Sequence, residues 1–417
     1  MQRAVMVALA LSLCVPHRAR AWSGQTHRKL TSDALQSMRW IDRYGGLKVT
    51  PFASMVRDVL GPAPPVEPDA FRFWKAETRE AKHRSYMRST AAIEDPAVRK
   101  FARHLFLSNQ LSLRYTLGER SRPVSARQVL TAYSAEPDWG MDKGLDASWH
   151  QTLMGGMNPA QTSSQGFRHM SFLLGAMGEA PRRAQLFFDL GARAINRGHA
   201  YWGFRFMAWG LHFVEDMGTP VHTNMLPTSK YIRLKGMVRP GGRLNRSFLG
   251  DLVRGSAQIN ANYHFLYEDY VDRAYAGGSE AARSLSAAVR GDGRPPGAFL
   301  GRLRRLLAPR SMKAVAKRRA WSRLSTPGIA RNAVRLFTEK FRTPAPGAPS
   351  NTVRSVNPEL VRRTVDTAGS RLVGESPRAY QRRMKARDTM MRRTQGQFRK
   401  TGVAVRRVMD LLRKKIR

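Results

Sequence analysis

The sequence predicts an all-α fold, a multi-helix bundle with a basic C-terminal extension. Apolar residues recur at mixed three- and four-residue spacing from His27 to about Leu60 and from Ala70 to about Gly118. The pattern returns from residue 181 to 217, after about Asp272, and from Tyr380 onward. That period belongs to helices with one buried face. No strand-rich region and no internal repeat stands out, and the interruptions are Gly- and Pro-rich, as in GPAPPVEP at 61–68 and RTPAPGAPSN at 342–351. With 417 residues the chain can bury a large core in one or two domains.

The first element is a leader. Residues 1–21 carry Arg3, an apolar run from Val5 to Val15 and a small-residue ending Ala-Arg-Ala at Ala21. This is the layout of a cleavable secretory signal and is too short to span a bilayer. It predicts a secreted or periplasmic protein whose mature chain begins at Trp22. Cys14, the sole cysteine, lies inside that leader. The mature chain is therefore expected to fold without disulfides even in an oxidising compartment.

The formal net charge is +42, of which the leader supplies three charges through Arg3, Arg18 and Arg20. Such a balance predicts attraction to polyanions: a phospholipid or membrane surface, or nucleic acid. It is equally the charge of a merely solubilising, arginine-rich surface. No protein partner is identifiable.

The chemistry is organised around Ala200–His222, AYWGFRFMAWGLHFVEDMGTPVH. His212 and Asp216 are four apart and share one helical face. Gly218 and Pro220 break the helix, and His222 follows at once. Two imidazoles and a carboxylate so placed can converge on a metal. A second pair with the same spacing, His264 and Glu268, follows in NYHFLYEDYVD. The loop YSAEPDWGMDKGLDASWH at 133–150 offers Glu136, Asp138, Asp142 and Asp146, at spacings unlike those of an EF-hand. Tyr201, Trp202, Phe204, Phe206 and Trp209 read as packing residues.

The segments HFVEDMGTPVH and YHFLYEDYVD resemble the zinc phospholipase C / S1–P1 nuclease superfamily, whose HYLGD-x-x-QP-x-H element and later HxxxE or HxxxD pair belong to a trinuclear zinc site. Asp216, Pro220 and His222 keep the family spacing, while Glu215 replaces a glycine and Thr219 a glutamine. The resemblance gives the leader a meaning, because members begin with a tryptophan whose amino and carbonyl groups ligate zinc. It implies a phospholipase C/P1 nuclease-like bundle and three zinc ions. One is held by Trp22, His27 and Asp216; a second by Asp138, His169 and His212, with Asp216 shared; a third by His222, His264 and Glu268. Asp138 is preferred to Asp142, and His169 to His150, for the second ion. The implied reaction is hydrolysis of a phosphoric ester, with Asp138 as the catalytic carboxylate orienting or deprotonating the nucleophile.

Glu268 as last ligand resembles the phospholipases, and the Trp22-to-His27 spacing resembles the nucleases. The expectation is a phospholipase C-like hydrolase. Its alternatives are a nuclease acting on single strands, and a basic binding protein whose zinc site is structural or decayed. The insert PTSKYIRLKGMVRPGGRLNRSFLG, between His222 and His264, is basic and stands where it can guide a phosphate-bearing substrate. The organisation expected is a leader (1–21), a helical phosphodiesterase-like domain (22–341), and a linker with a basic helical or partly disordered tail (342–417). Residues 351–417 hold 19 Lys and Arg against 5 Asp and Glu.

Overall fold

A computed structural model describes residues 24–51, 54–55, 58–59, 115–139, 180–223, 267–268, 270–275, 277–292, 374 and 376–416. Among them the chain is all-α, with an isolated antiparallel bridge between Leu47 and Val124. None of the described helices is long and apolar enough to cross a membrane.

Helix α1 (Gly24–Leu35) buries Leu30, Ala34 and Leu35 together with His27, Thr31 and Asp33. A 3-10 turn follows at Arg39–Arg43. Helix α2 (Ala126–Tyr133) starts in a capping box, the Ser125 hydroxyl accepting from the Gln128 amide while the Gln128 side chain accepts from the Ser125 amide. A second 3-10 turn, Glu136–Trp139, lies inside the acidic loop expected from the sequence.

The helical region expected at 181–217 is a helix pair. Helix α3 (Ala180–Asn196) ends in a turn through Gly198, at φ +83°, a conformation that favours glycine, and α4 (Ala200–Gly218) begins two residues later. Every residue of α4 from Tyr201 to Gly218 is buried. A helix that is apolar nearly all round belongs at the centre of a bundle, and α4 is packed by α1, α2, α3 and the C-terminal helix. Phe187 of α3 stacks on Phe206 and Phe213 and meets Trp209 edge-on. Thr219 is extended, and the short helix α5 (Pro220–Thr223) then carries His222.

Helix α6 (Glu280–Arg290) is capped by Ser279, whose hydroxyl accepts from the Ala282 amide. Helix α7 (Pro377–Arg413) packs against α6, α4 and α1. The sequence reading makes this region an accessory tail. It is helical as expected, but it supplies core side chains: Met390, Phe398, Val405, Val408, Met409 and Leu412 are all fully buried. The high charge of the region masks an apolar face that is continuous along the helix.

Gly218 marks the closest approach of α7 to the end of α4. A Cβ there would lie 2.2 Å from Thr401 Oγ1 and 2.9 Å from Thr401 Cγ2. Gly218→Ala is therefore expected to destabilise the fold by about 1–3 kcal/mol through overpacking. Adding Thr401→Ala, which removes both of those atoms, is expected to recover part of the loss. Denaturant unfolding of the single and double variants checks this.

Candidate metal centre

Three elements bring the cluster together. Helix α1 places His27, the 3-10 turn after α2 places Asp138, and α4 places His212 and Asp216 one turn apart. His27 and His212 stack with ring centroids 4.0 Å apart. His27 Nε2 lies 3.7 Å from Asp216 Oδ1 and 3.9 Å from Asp138 Oδ2. His212 Nε2 lies 3.2 Å from Asp216 Oδ2 and 3.7 Å from Asp138 Oδ1. One donor atom each from His27, His212 and Asp216 lies within 4.8 Å of the other two. These three buried residues form a group that can hold a metal ion.

The far ring nitrogens are occupied in the way metal-ligating histidines require. His212 Nδ1 sits 2.7 Å from the Ser134 carbonyl oxygen. A carbonyl only accepts, so Nδ1 carries the proton and Nε2 is turned to the cluster. His27 Nδ1 sits 2.6 Å from Glu215 Oε2, and Thr31 Oγ1 donates to Glu215 Oε1 at 2.6 Å. Glu215 thereby orients His27 as a carboxylate–histidine pair.

A second arm extends from Asp216. His222 Nδ1 is 3.3 Å from Asp216 Oδ1, and its Nε2 is 3.5 Å from Glu268 Oε1. Tyr267, next to Glu268, is hydrogen-bonded to Thr394 of α7 at 3.2 Å. Helix α7 thus braces both the end of α4 and the segment bearing Glu268.

The turn that carries Asp138 is anchored by a buried ion pair. Arg205 of α4 donates to Glu136 from Nε at 3.0 Å and again from Nη2, and Trp209 Nε1 donates to the same carboxylate at 2.8 Å. Arg205 Nη1 also donates to Tyr201 Oη at 2.8 Å, and its guanidinium lies 3.8 Å over the Tyr133 ring. Tyr201 and Tyr133 both donate to Glu119.

Burial makes this an acid-rich site that needs positive charge. Burial, the largest influence, lifts Glu268 to about 8, and the hydrogen bond to His222 only partly opposes it. Burial likewise pushes Glu215 well above the usual carboxylate range, against the Thr31 hydrogen bond. Burial pulls His212 down, but the Asp216 and Asp138 carboxylates outweigh it and hold the imidazole at about 9.

A pH dependence follows. Glu268 and His212 bind protons more tightly in the folded chain than at their ordinary values of 4.5 and 6.5. The folded state therefore holds more protons than the unfolded one, and stability of the metal-free chain falls as pH rises. The contribution is full below pH 4.5 for Glu268 and below 6.5 for His212, and is lost as pH passes about 8 and about 9. Thermal unfolding in chelator is expected to show lower stability at pH 8.5 than at pH 5.5. A bound divalent cation replaces those protons, so saturating metal removes this decline and metal uptake releases protons.

Of the residues expected from the sequence, His27, Asp138, His212, Asp216, His222 and Glu268 meet at one place. Trp22, His169 and His264 lie outside the described residues, as do the reserves Asp142 and His150. Glu215, Glu136 and Arg205 are the roles missed. Arg205 was legible as a lone cation in an apolar helix, since a buried arginine requires a buried acid. Glu215 was legible as a second acid beside Asp216, one turn from His212. Comparison of the chain with family models, with curated proteins and with solved structures finds no match.

Proposed function

We propose that the chain is an exported zinc-dependent phosphoric ester hydrolase, phospholipase C-like in both bundle and chemistry. The observation that carries this reading is the convergence of side chains from His27 to Glu268 on one buried cluster of imidazoles and carboxylates. Nitrogen and oxygen donors of this kind suit zinc. Two ligands on a tetrahedral zinc stand about 3.3 Å apart, and the facing atoms of His27, His212, His222, Asp138 and Asp216 stand 3.2–3.9 Å apart.

Trp22, His27 and Asp216 would hold one ion; Asp138, His169 and His212 a second; His222, His264 and Glu268 a third. Asp216 turns Oδ2 toward His212 and Oδ1 toward both His27 and His222, an orientation that suits a shared ligand. Zinc, when bound, polarises a phosphoryl oxygen and lowers the pKa of bound water from 15.7 to about 7.

The chain's own groups do the rest. Ser134 and Glu215 keep the two imidazoles in register. The fully buried walls around α4 exclude bulk water and strengthen every charge interaction inside. Asp138, 7 % exposed where Asp216 is 0 %, is the carboxylate nearest solvent in that pair. It accepts the proton of the attacking water at an Oδ and holds that water in line with phosphorus. Glu268 beside His222 favours the phospholipase branch.

The test uses protein secreted with its native N-terminus, which also reports whether Trp22 is the first residue. It is incubated with zinc on mixed phospholipid vesicles and, in parallel, on single-stranded DNA, each with a chelated control. Diacylglycerol and a phosphorylated head group, lost on chelation, are expected. Chelator-sensitive nucleotides instead would move the chain to the nuclease reading. No product from zinc-loaded protein would leave the binding-protein reading.

A further inference from the structure

The outer face of α7 carries an ordered row of charge. Arg378, Lys385, Arg392, Arg399, Arg406 and Arg413 follow one another at strict seven-residue intervals. All but Arg406 are exposed. Arg406 turns inward at the row's edge and donates to the carbonyls of Val289 and Gly291 at 2.7 Å, capping the end of α6. Seven residues make nearly two helical turns, so the row drifts only ~20° per step, about 100° from Arg378 to Arg413. At 1.5 Å per residue it runs for about 50 Å. Arg382 and a single exposed acid, Asp388, flank it, with Arg407 and Lys414 exposed further round the helix. The opposite face is the buried one that presses Thr401 on Gly218 and Thr394 on Tyr267.

We propose that this row is a docking surface for an anionic lipid bilayer. A long, nearly straight row matches a charged plane. It does not match a duplex, whose phosphate tracks wind a full turn in about 34 Å. Single strands are gripped by basic grooves with aromatic platforms. The aromatics of α7 are Tyr380, half-buried, and Phe398, buried, so the row offers no such platform. Flexible arginine stems bring charges spread over a moderate arc to one plane. Because the inner face of α7 is locked to the ends of the segments carrying Asp216 and Glu268, docking through the outer face holds the metal centre at a fixed attitude to the surface. The proposal concerns adsorption and does not require the hydrolase reading to hold.

The experiment measures partition of the full chain onto vesicles of phosphatidylcholine with phosphatidylglycerol, by co-sedimentation in chelator so that turnover cannot contribute. Each basic residue at an anionic surface contributes about a fivefold factor. The triple variant Lys385→Gln, Arg392→Gln, Arg399→Gln is expected to lose on the order of a hundredfold in partition and to keep the native Tm, since its side chains are exposed. The control triple Arg39→Gln, Arg43→Gln, Lys48→Gln removes the same charge from exposed positions elsewhere and is expected to bind within a few-fold of the native chain. Equal losses in both triples would overturn the proposal in favour of diffuse attraction. Native partition by the α7 triple, or no adsorption by the native chain, would also overturn it. Tight retention of single-stranded DNA through the same residues, without vesicle binding, would assign the row to nucleic acid. Activity on a monomeric short-chain phospholipid, measured separately with zinc, reports on the hydrolase reading alone.

Discussion

Asp216→Asn is expected to remove the zinc-dependent stabilisation of the two ions that share Asp216, leaving at most that of the ion at His222, His264 and Glu268, and to reduce phosphoric ester hydrolysis to the level of a chelated control. The carboxylate stands between three imidazoles, at 3.2 Å from His212, 3.3 Å from His222 and 3.7 Å from His27. No other described side chain faces all three. An amide of the same shape keeps the packing but removes the anion shared among them. The loss in zinc affinity should exceed the 10–100-fold typical of groups that only orient a ligand. In the native chain, zinc at a thousandfold excess over its Kd adds about 4 kcal/mol to stability. In the variant the gain from the ions that share Asp216 should be lost. Parallel thermal unfolding with zinc and with chelator reads both gains, and a metal-dependent rise in Asp216→Asn equal to that of the native chain would place the ions elsewhere.

Arg205→Met is expected to destabilise the fold by about 3–5 kcal/mol and to impair hydrolysis as well. Arg205 and Glu136 are almost fully buried, at 1 % and 2 % exposed. Removing the guanidinium leaves an uncompensated carboxylate with Trp209 Nε1 still donating to it. The double variant Arg205→Met, Glu136→Gln removes the buried charge altogether and lets the amide oxygen accept from Trp209. It is expected to recover most of the stability. Hydrolysis should not recover with it, because the turn carrying Asp138 loses both guanidinium bonds to α4 and keeps only the one from Trp209. The split between a restored unfolding midpoint and a persistently low kcat separates positioning of Asp138 from general stabilisation. Recovery of both would reduce the pair to a structural role.

The sequence made the helical architecture and the heart of the cluster readable, for reasons that are local. His212 and Asp216 meet because a four-residue step on a helix puts them on one face. His222 follows because Gly218, Thr219 and Pro220 end α4 and restart the chain at a new angle. His27 joined the same group through the spacing of the resemblance, and the structure stacks it on His212. What local pattern does not encode is which distant groups stand behind each ligand. The Ser134 carbonyl behind His212, Glu215 behind His27, and Glu136 under Asp138 are fixed by packing across helices. The role of α7 was hidden for a different reason. Its charged residues dominate its composition, while its apolar residues, spaced to fall on one face, act only once another helix covers them.

The most direct measurement is anomalous diffraction at the zinc edge from crystals of the protein grown with zinc. Anomalous peaks at the Asp216 carboxylate, one beside His27 Nε2 and one beside His212 Nε2, are the expected result. Zinc-replete crystals with no peak there, or with peaks only among surface histidines and acids, would contradict the assignment of this cluster as the metal centre.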